Sequence, residues 1–355
     1  MELGIVGLPQ SGKRTIFQLL TGLESDRAPT RDGIAYGAAP VRDPRVDRLT
    51  EIYQPKKMKY TEFAIALPPD VHPDAARAAA WIDPMRRVDA FLHVVRDFEA
   101  DDVFHIKGDL DAARDLELVD LEFLLADLAL VETRLERLAK TVQKSERAER
   151  ERHEKVLGRC QEALENEIPL RRVDLSEEEL VLVGSLQFLT LKPRVVVFNV
   201  GEDLAAATEK LSAVLVKLAE GETEAVMLSA AIEAELVDLA DDEREMFMED
   251  LGIIEPASHR LSRAAYNCLG LISFFTSGPD EVRAWTVEGG AAAPRAAGKI
   301  HSDLERGFIR ADTVAYDDFI AAGSEKAARD ANHYRLNGKD YVVKDGDIME
   351  IRFSV

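Results

Sequence analysis

Leu3-Gly4-Ile5-Val6-Gly7-Leu8-Pro9-Gln10-Ser11-Gly12-Lys13-Arg14-Thr15-Ile16-Phe17-Gln18-Leu19-Leu20 passes from a short apolar run, through a Gly/Ser/Lys turn, into a second apolar segment. The pattern reads as a buried strand, a tight loop and a helix. Gly7 to Lys13 fits G-x-x-x-x-G-K, the spacing of a phosphate-binding loop. The chemistry follows from the residue types. Glycines let backbone N–H groups turn inward, the helix N-terminus adds positive potential, and the lysine reaches the outer phosphates. The alternative, a plain Gly turn between strand and helix, requires neither the lysine nor the spacing. Gly7, Gln10, Ser11, Gly12, Lys13, Arg14 and Thr15 are therefore candidate phosphate contacts.

Outward from this loop, buried apolar runs recur at Ala90–Val95, Val195–Val200 and Ala225–Leu228. Helical patterns lie between them, around Ala75–Arg87, Leu204–Leu218 and Ile232–Leu239. Strands alternating with helices predict an α/β fold with a doubly wound, mostly parallel sheet.

The alternation breaks between Leu128 and Leu191. Leu128, Val131, Leu135, Leu138 and Val142 make one coiled-coil seam, and Leu157, Cys160, Leu164 and Ile168 make a second. Between them, residues 143–154 hold no apolar residue except Ala148, so we expect an antiparallel helical hairpin with a solvated tip. After Cys268 the pattern changes to short strands, LISFFTSG, EVRAWTVEG and DYVVKDGDIMEIRFSV. The last predicts two strands hairpinned about Lys344-Asp345-Gly346-Asp347. The expected organisation is a nucleotide-binding domain over residues 1–127 and 191–268, an inserted hairpin over 128–190, and a small C-terminal domain over 269–355.

The chain has 355 residues, enough for two or three domains, and a formal net charge of −21. That charge disfavours indiscriminate coating of nucleic acid. The distribution is uneven, however. Residues 140–159 carry seven Lys/Arg against four Glu, whereas 220–255 carry thirteen acidic residues against a single Arg. The basic tip is either a solvated helical face laced with i,i+4 pairs or a contact for RNA or an acidic partner. Two cysteines and seven scattered histidines argue against a disulfide framework or a structural zinc, and no metal ligand is assigned. The N-terminus has no basic region of the signal-peptide type, and no apolar run of 18 or more residues exists, so a cytoplasmic chain without membrane contact is expected. No repeat of fixed period is found.

GLPQSGK with Thr15 and Phe17, DPRVDRLTEIYQPKK (43–57), VDAFLHVVR (88–96), KPRVVVFNVGE (192–202) and the long segment 274–319 together resemble the YchF family, the Obg-like ATPases. The resemblance runs over nearly the whole chain. It implies an ATPase that associates with ribosomes, with a C-terminal TGS domain of β-grasp fold and a coiled-coil insertion where the basic hairpin falls. Asn199-Val200-Gly201-Glu202 matches the family's N-x-x-E. Glu202, one methylene longer than the aspartate of guanine-specific relatives, then tolerates or prefers adenine, leaving ATP or GTP as the ligand. The alternative for Asn199 is a cap on the following helix. Ser229-Ala230 matches the loop expected on the other side of the base, and His105 matches the histidine linked to water activation.

Three positions depart from the family pattern. Arg14 stands where a Ser or Thr ligates Mg²⁺, and a cation cannot ligate another cation. Ile65 stands where an Asp is expected. Pro68 replaces the glycine whose N–H senses a γ-phosphate, and proline has no N–H. The following switch has become PPDVHPDAAR. Mg²⁺ is thus left without protein ligands, and hydrolysis is expected to be weak or absent while binding survives through the loop and Lys13. Arg14 is expected to supply positive charge where the metal sat. Two other readings are a competent ATPase using His105, and a nucleotide-independent adaptor. In each, Lys140, Lys144, Arg147, Arg150 and Arg152 are the candidate ribosome or RNA contacts.

Overall fold

A computed structural model describes residues 1–70, 81–100, 103–140, 147–221 and 223–354. They form two compact units. Met1–Gly37 joins Ala64–Ser258, and Ala38–Phe63 joins His259–Val355.

The first sheet has seven strands in the order β2-β3-β5-β1-β6-β7-β8. These are β1 (Glu2–Val6), β2 (Thr30–Arg31), β3 (Ile34–Val41), β5 (Thr61–Leu67), β6 (Ala90–Asp97), β7 (Arg194–Val200) and β8 (Glu224–Leu228). From β5 through β1, β6 and β7 to β8 every pairing is parallel. β6 and β7 are buried at every position, which is why their interiors (Ala90–Leu92, Val94–Val95 and Val195–Phe198) are runs of apolar residues rather than alternating ones. β1 lies between β5 and β6, so the chain leaves it first toward one edge and later toward the other. The phosphate-loop sequence therefore emerges at the switch point of the sheet, where open α/β folds bind ligands.

The helix Leu204–Glu220 presents Ala207, Leu211 and Leu218 to β7 residues Val196, Phe198 and Val200. On another core cluster, Trp81, Met85, Val119 and Phe123 pack with Val6 and Phe91. The expected helix over 75–87 is seen only in part, because 71–80 lie outside the described residues.

The hairpin's first helix, Ala112–Lys140, begins well before residue 128. Its first half, through Leu116, Val119 and Phe123, is part of the cores around the sheet. Its second half, through Leu128, Val131, Leu135 and Leu138, packs on Val156, Leu157, Cys160, Ala163 and Leu164 of the helix Arg147–Glu165. Val142 and the start of the expected tip lie outside the described residues, but from Arg147 onward the tip is already helical. One seam residue is corrected. Ile168 is exposed, because the helix ends at Glu165 and Glu167 reverses the chain at φ 58°, so the buried place passes to Leu170.

The second unit is built on a six-stranded sheet in the order β12-β11-β13-β9-β10-β4. Its strands are β4 (Lys57–Lys59), β9 (Leu271–Ser277), β10 (Glu281–Glu288), β11 (Phe308–Ala315), β12 (Arg335–Asn337) and β13 (Asp347–Phe353). The central order β10-β9-β13-β11, with the helix Ala293–Ile300 between β10 and β11, is a β-grasp arrangement. Ala293, Ala296 and Ala297 are fully buried, and their small side chains let that helix lie close on Phe274, Val287 and Phe308.

The hairpin expected at Lys344–Asp347 does not form. β13 pairs antiparallel with β11 and parallel with β9, while Val342 makes only an isolated bridge to Ala292. The turn's polar groups face other partners. Asp347 accepts from the Lys344 N–H and the Tyr341 hydroxyl, and Asp345 accepts from the Ser273 N–H.

The stretch DPRVDRLTEIYQPKK clusters with this second unit. Asp43 caps the helix Pro44–Tyr53 by accepting from the Arg45 N–H, and Val46 and Leu49 are fully buried with Phe275, Val282 and Phe319. Arg45 bridges Asp43 and Asp345 at 2.7 and 2.6 Å and lies over the Phe275 ring.

Candidate phosphate-binding site

The helix Lys13–Thr21 starts from Gly12, which sits in the left-handed region at φ 95°. Gln10 is also left-handed, at φ 61°. Left-handed residues alternating with others are what a nest of inward-facing N–H groups requires. Gly7, at φ 147°, has no room for a side chain, since a Cβ there would meet the Val94 carbonyl oxygen at 2.2 Å. A Cβ on Gly12 would meet Asn199 Nδ2 at 2.2 Å. Both glycines thus answer to space as well as to φ.

Asn199, at the end of β7, holds this loop to a second one. Its Nδ2 donates to the Ser11 carbonyl at 3.1 Å and its Oδ1 accepts from the Ala230 N–H at 3.0 Å. The following helix is capped by Asp203 and not by Asn199. Asn199 therefore joins the two segments that the sequence reading assigned to phosphate and base, and it is buried where it does so. Ser229 is buried and begins the helix Ala230–Asp238. Glu202 is exposed three residues beyond Asn199. Arg14 and Thr15 follow Lys13 on the first turn of the helix, with Arg14 exposed.

Lys13 is 4% exposed. Its Nζ donates to the Leu8 carbonyl at 2.6 Å and pairs with Asp70 Oδ1 at 2.8 Å. Burial pushes the pKa of this ammonium down, and the facing Asp70 carboxylate opposes that shift. The Asp70 contact was not anticipated from the sequence, because nothing in a PPD tripeptide marks which side chain will face the loop. Ser11 Oγ is buried and has no hydrogen-bond partner among the described residues.

Neither Arg14 nor Ile65 carries a group that can ligate Mg²⁺. Arg14 is a cation, and Ile65 is fully buried within β5, opposite Leu3 of β1. Pro68 is buried and Pro69 exposed, and neither has an N–H. The donor set at these positions does not fit a protein-ligated metal, whereas the glycine cradle, the orphaned Ser11 hydroxyl and Lys13 fit a phosphate group.

His105 is buried beside Asp115. Its Nδ1 accepts from the Lys107 N–H at 3.2 Å, which puts the ring proton on Nε2, 2.7 Å from Asp115 Oδ2. Asp115 is itself gripped by the Arg114 guanidinium through two 3.0 Å hydrogen bonds. The ring is buried, and only its Nδ1 makes a hydrogen bond among the described residues. His93 lies inside β6. Burial pushes its pKa down to about 3, and its Nδ1 is 4.0 Å from Asp120, too far for a hydrogen bond.

A cavity of about 500 Å³ opens elsewhere in the first unit, lined by Leu116, Asp120, Arg171, Arg194 and Lys217. None of the loop residues lines it, and Arg194 and Lys217 are paired with Asp120 and Glu117. Of the basic tip residues, Lys144 and the Arg147 side chain lie outside the described residues. Lys140 and Arg150 pair along their helices with Glu136 and Glu154, and Arg152 is exposed.

Comparison with known proteins gives one consistent result. A family model, YchF-GTPase_C, described as a protein of unknown function (DUF933), matches residues 271–354. "Ribosome-binding ATPase YchF" of Bacillus subtilis (strain 168) is 41% identical over 366 residues, spanning all of both chains. The protein of the same name from Haemophilus ducreyi is 43% identical over 367 residues, covering this chain fully and 99% of its own length. The solved Schizosaccharomyces pombe YchF GTPase superposes with a TM-score of 0.86 at 29% identity, over 99% of this chain and 97% of that one. Identity at this level over the whole length, together with the shared fold, means that this chain belongs to the YchF family.

Proposed function

We propose that this protein binds a nucleotide, ATP or GTP, as a ligand or switch, hydrolyses it weakly or not at all, and associates with ribosomes. The observation that carries the reading is the Asn199 clasp, which holds the phosphate loop and the 229–230 loop in one site. The loop N–H groups and Lys13 hold the phosphates, and Asn199, Glu202, Ser229 and Ala230 surround the base. The names of the relatives support both nucleotide and ribosome as partners.

Weak hydrolysis follows from positioning. Phosphoryl transfer relies on fixed positive charge and an oriented nucleophile. Arg14, Ile65 and Pro68 remove the protein's metal and γ-phosphate contacts, and His105 is buried with its Nδ1 taken by the Lys107 N–H. Arg14 supplies the charge that the metal otherwise brings.

Calorimetry with ATP, GTP and ADP tests this directly. We expect binding unchanged by EDTA, a loss of at least tenfold in Arg14→Ser, and phosphate release at background level. Strict Mg²⁺ dependence contradicts the role of Arg14. Turnover abolished by His105→Ala restores the ATPase reading, and no binding of any nucleotide at high micromolar concentration leaves the adaptor.

For the partner, the TGS domain and basic hairpin are the proposed ribosome contacts. Reversing Arg147, Arg150 and Arg152 to Glu removes positive charge from one tip, so ribosome co-sedimentation at low salt should fall several-fold. Unchanged sedimentation makes the tip a solvated face.

A further inference from the structure

A lysine ammonium has three donors and no acceptor. One Lys13 donor goes to the Leu8 carbonyl at 2.6 Å, and a second faces Asp70 Oδ1 at 2.8 Å. One donor is left. Bridging the two outer phosphates of a triphosphate takes two donors, whereas a terminal β-phosphate takes one. Asp70 also follows Pro68 and Pro69, so the chain offers no N–H to a γ-phosphate over those two residues and then places a carboxylate beside the lysine.

We infer that Asp70 makes this a nucleoside-diphosphate site: its carboxylate occupies the Lys13 donor that a γ-phosphate needs, and its charge repels that phosphate. The inference rests on the reading of the site as nucleotide-binding. Lys13 is buried, so the groups around it compete for its few donors. Asp70 itself is 45% exposed at the mouth of the site, so replacing it leaves the core intact. The effect of Asp70 is on ligand choice and acts through Lys13.

The test is a displacement titration on the full chain, with a fluorescent ADP analogue displaced by ADP or by ATP, in wild type, Asp70→Asn, Asp70→Glu and Lys13→Ala. The wild type is expected to bind ADP at least tenfold tighter than ATP. Asp70→Asn is expected to tighten ATP at least tenfold and change ADP less than threefold, while Asp70→Glu keeps the preference for diphosphate. An ADP-to-ATP ratio equal in wild type and Asp70→Asn overturns the inference. If Lys13→Ala still abolishes binding in that case, the nucleotide site stands and only the selection falls. If wild type and Asp70→Asn both bind neither nucleotide, the inference and the nucleotide reading fall together.

Discussion

Asp127→Ala is expected to destabilise the first unit by about 3–5 kcal/mol, the range for breaking a buried charged network by removing one partner. Asp127 is fully buried, on the helix Ala112–Lys140. Its Oδ1 accepts from Arg86 Nη1 at 2.8 Å and the Leu189 N–H at 3.1 Å. Its Oδ2 accepts from the Thr190 N–H at 2.8 Å and the Thr190 hydroxyl at 2.9 Å. Alanine leaves two backbone N–H groups and a hydroxyl without this acceptor and takes the carboxylate from the Arg86 guanidinium, which keeps the Ala126 carbonyl. Each buried orphan costs about 1–3 kcal/mol before relaxation. The loss also loosens the segment that leads into β7 and so to Asn199. Trp81 and Trp285 are the only tryptophans, and Trp81 is buried against Phe123 in the first unit. In a Trp285→Phe background, urea unfolding followed by Trp81 fluorescence therefore reports this unit. A shift worth less than about 1 kcal/mol contradicts the assignment of Asp127 as the hub of this junction, because a typical single hydrogen bond already accounts for that much.

Asn199→Ala is expected to weaken nucleotide binding by about 30- to 100-fold, corresponding to about 2–3 kcal/mol for two buried hydrogen bonds. The Ser11 carbonyl and Ala230 N–H lose their partners together, so the two loops are no longer held at one separation. Asn199→Asp separates the two bonds. It keeps the acceptor for Ala230 but turns a carboxylate oxygen toward the Ser11 carbonyl, so it should bind no better than the alanine variant. Fluorescent-nucleotide titration measures both. Wild-type affinity in either variant makes the clasp a packing feature without influence on the site.

Much of this fold is legible in the chain itself. Gly7, Gly12 and Lys13 lie within seven residues, and the turn they need depends on local φ and ψ, so their spacing carries the phosphate loop directly. β6 and β7 are legible because strands buried on both faces are apolar through their centres. The seam of Leu128, Val131, Leu135 and Leu138 is legible for the same reason, since helical period places them on one face. Ile168 is misread because a period continues on paper after the helix has stopped. The Lys344–Asp347 turn is misread because a turn signal states that the chain reverses but not which strand it then pairs with.

What the chain determined by itself is the loop, the sheet's buried strands, the helical insertion and the presence of Arg14, Ile65 and Pro68, none of which can hold a metal through its side chain. What only the tertiary structure decided is where the charged side chains end. Asp70 is 57 positions from Lys13, Asp127 gathers donors from residues 86, 189 and 190, and Arg45 reaches Asp345. Backbone conformation and burial are local or periodic quantities, so sequence carries them. The partner of a buried charge depends on which distant segment the folded chain brings within about 3 Å, and no spacing records that.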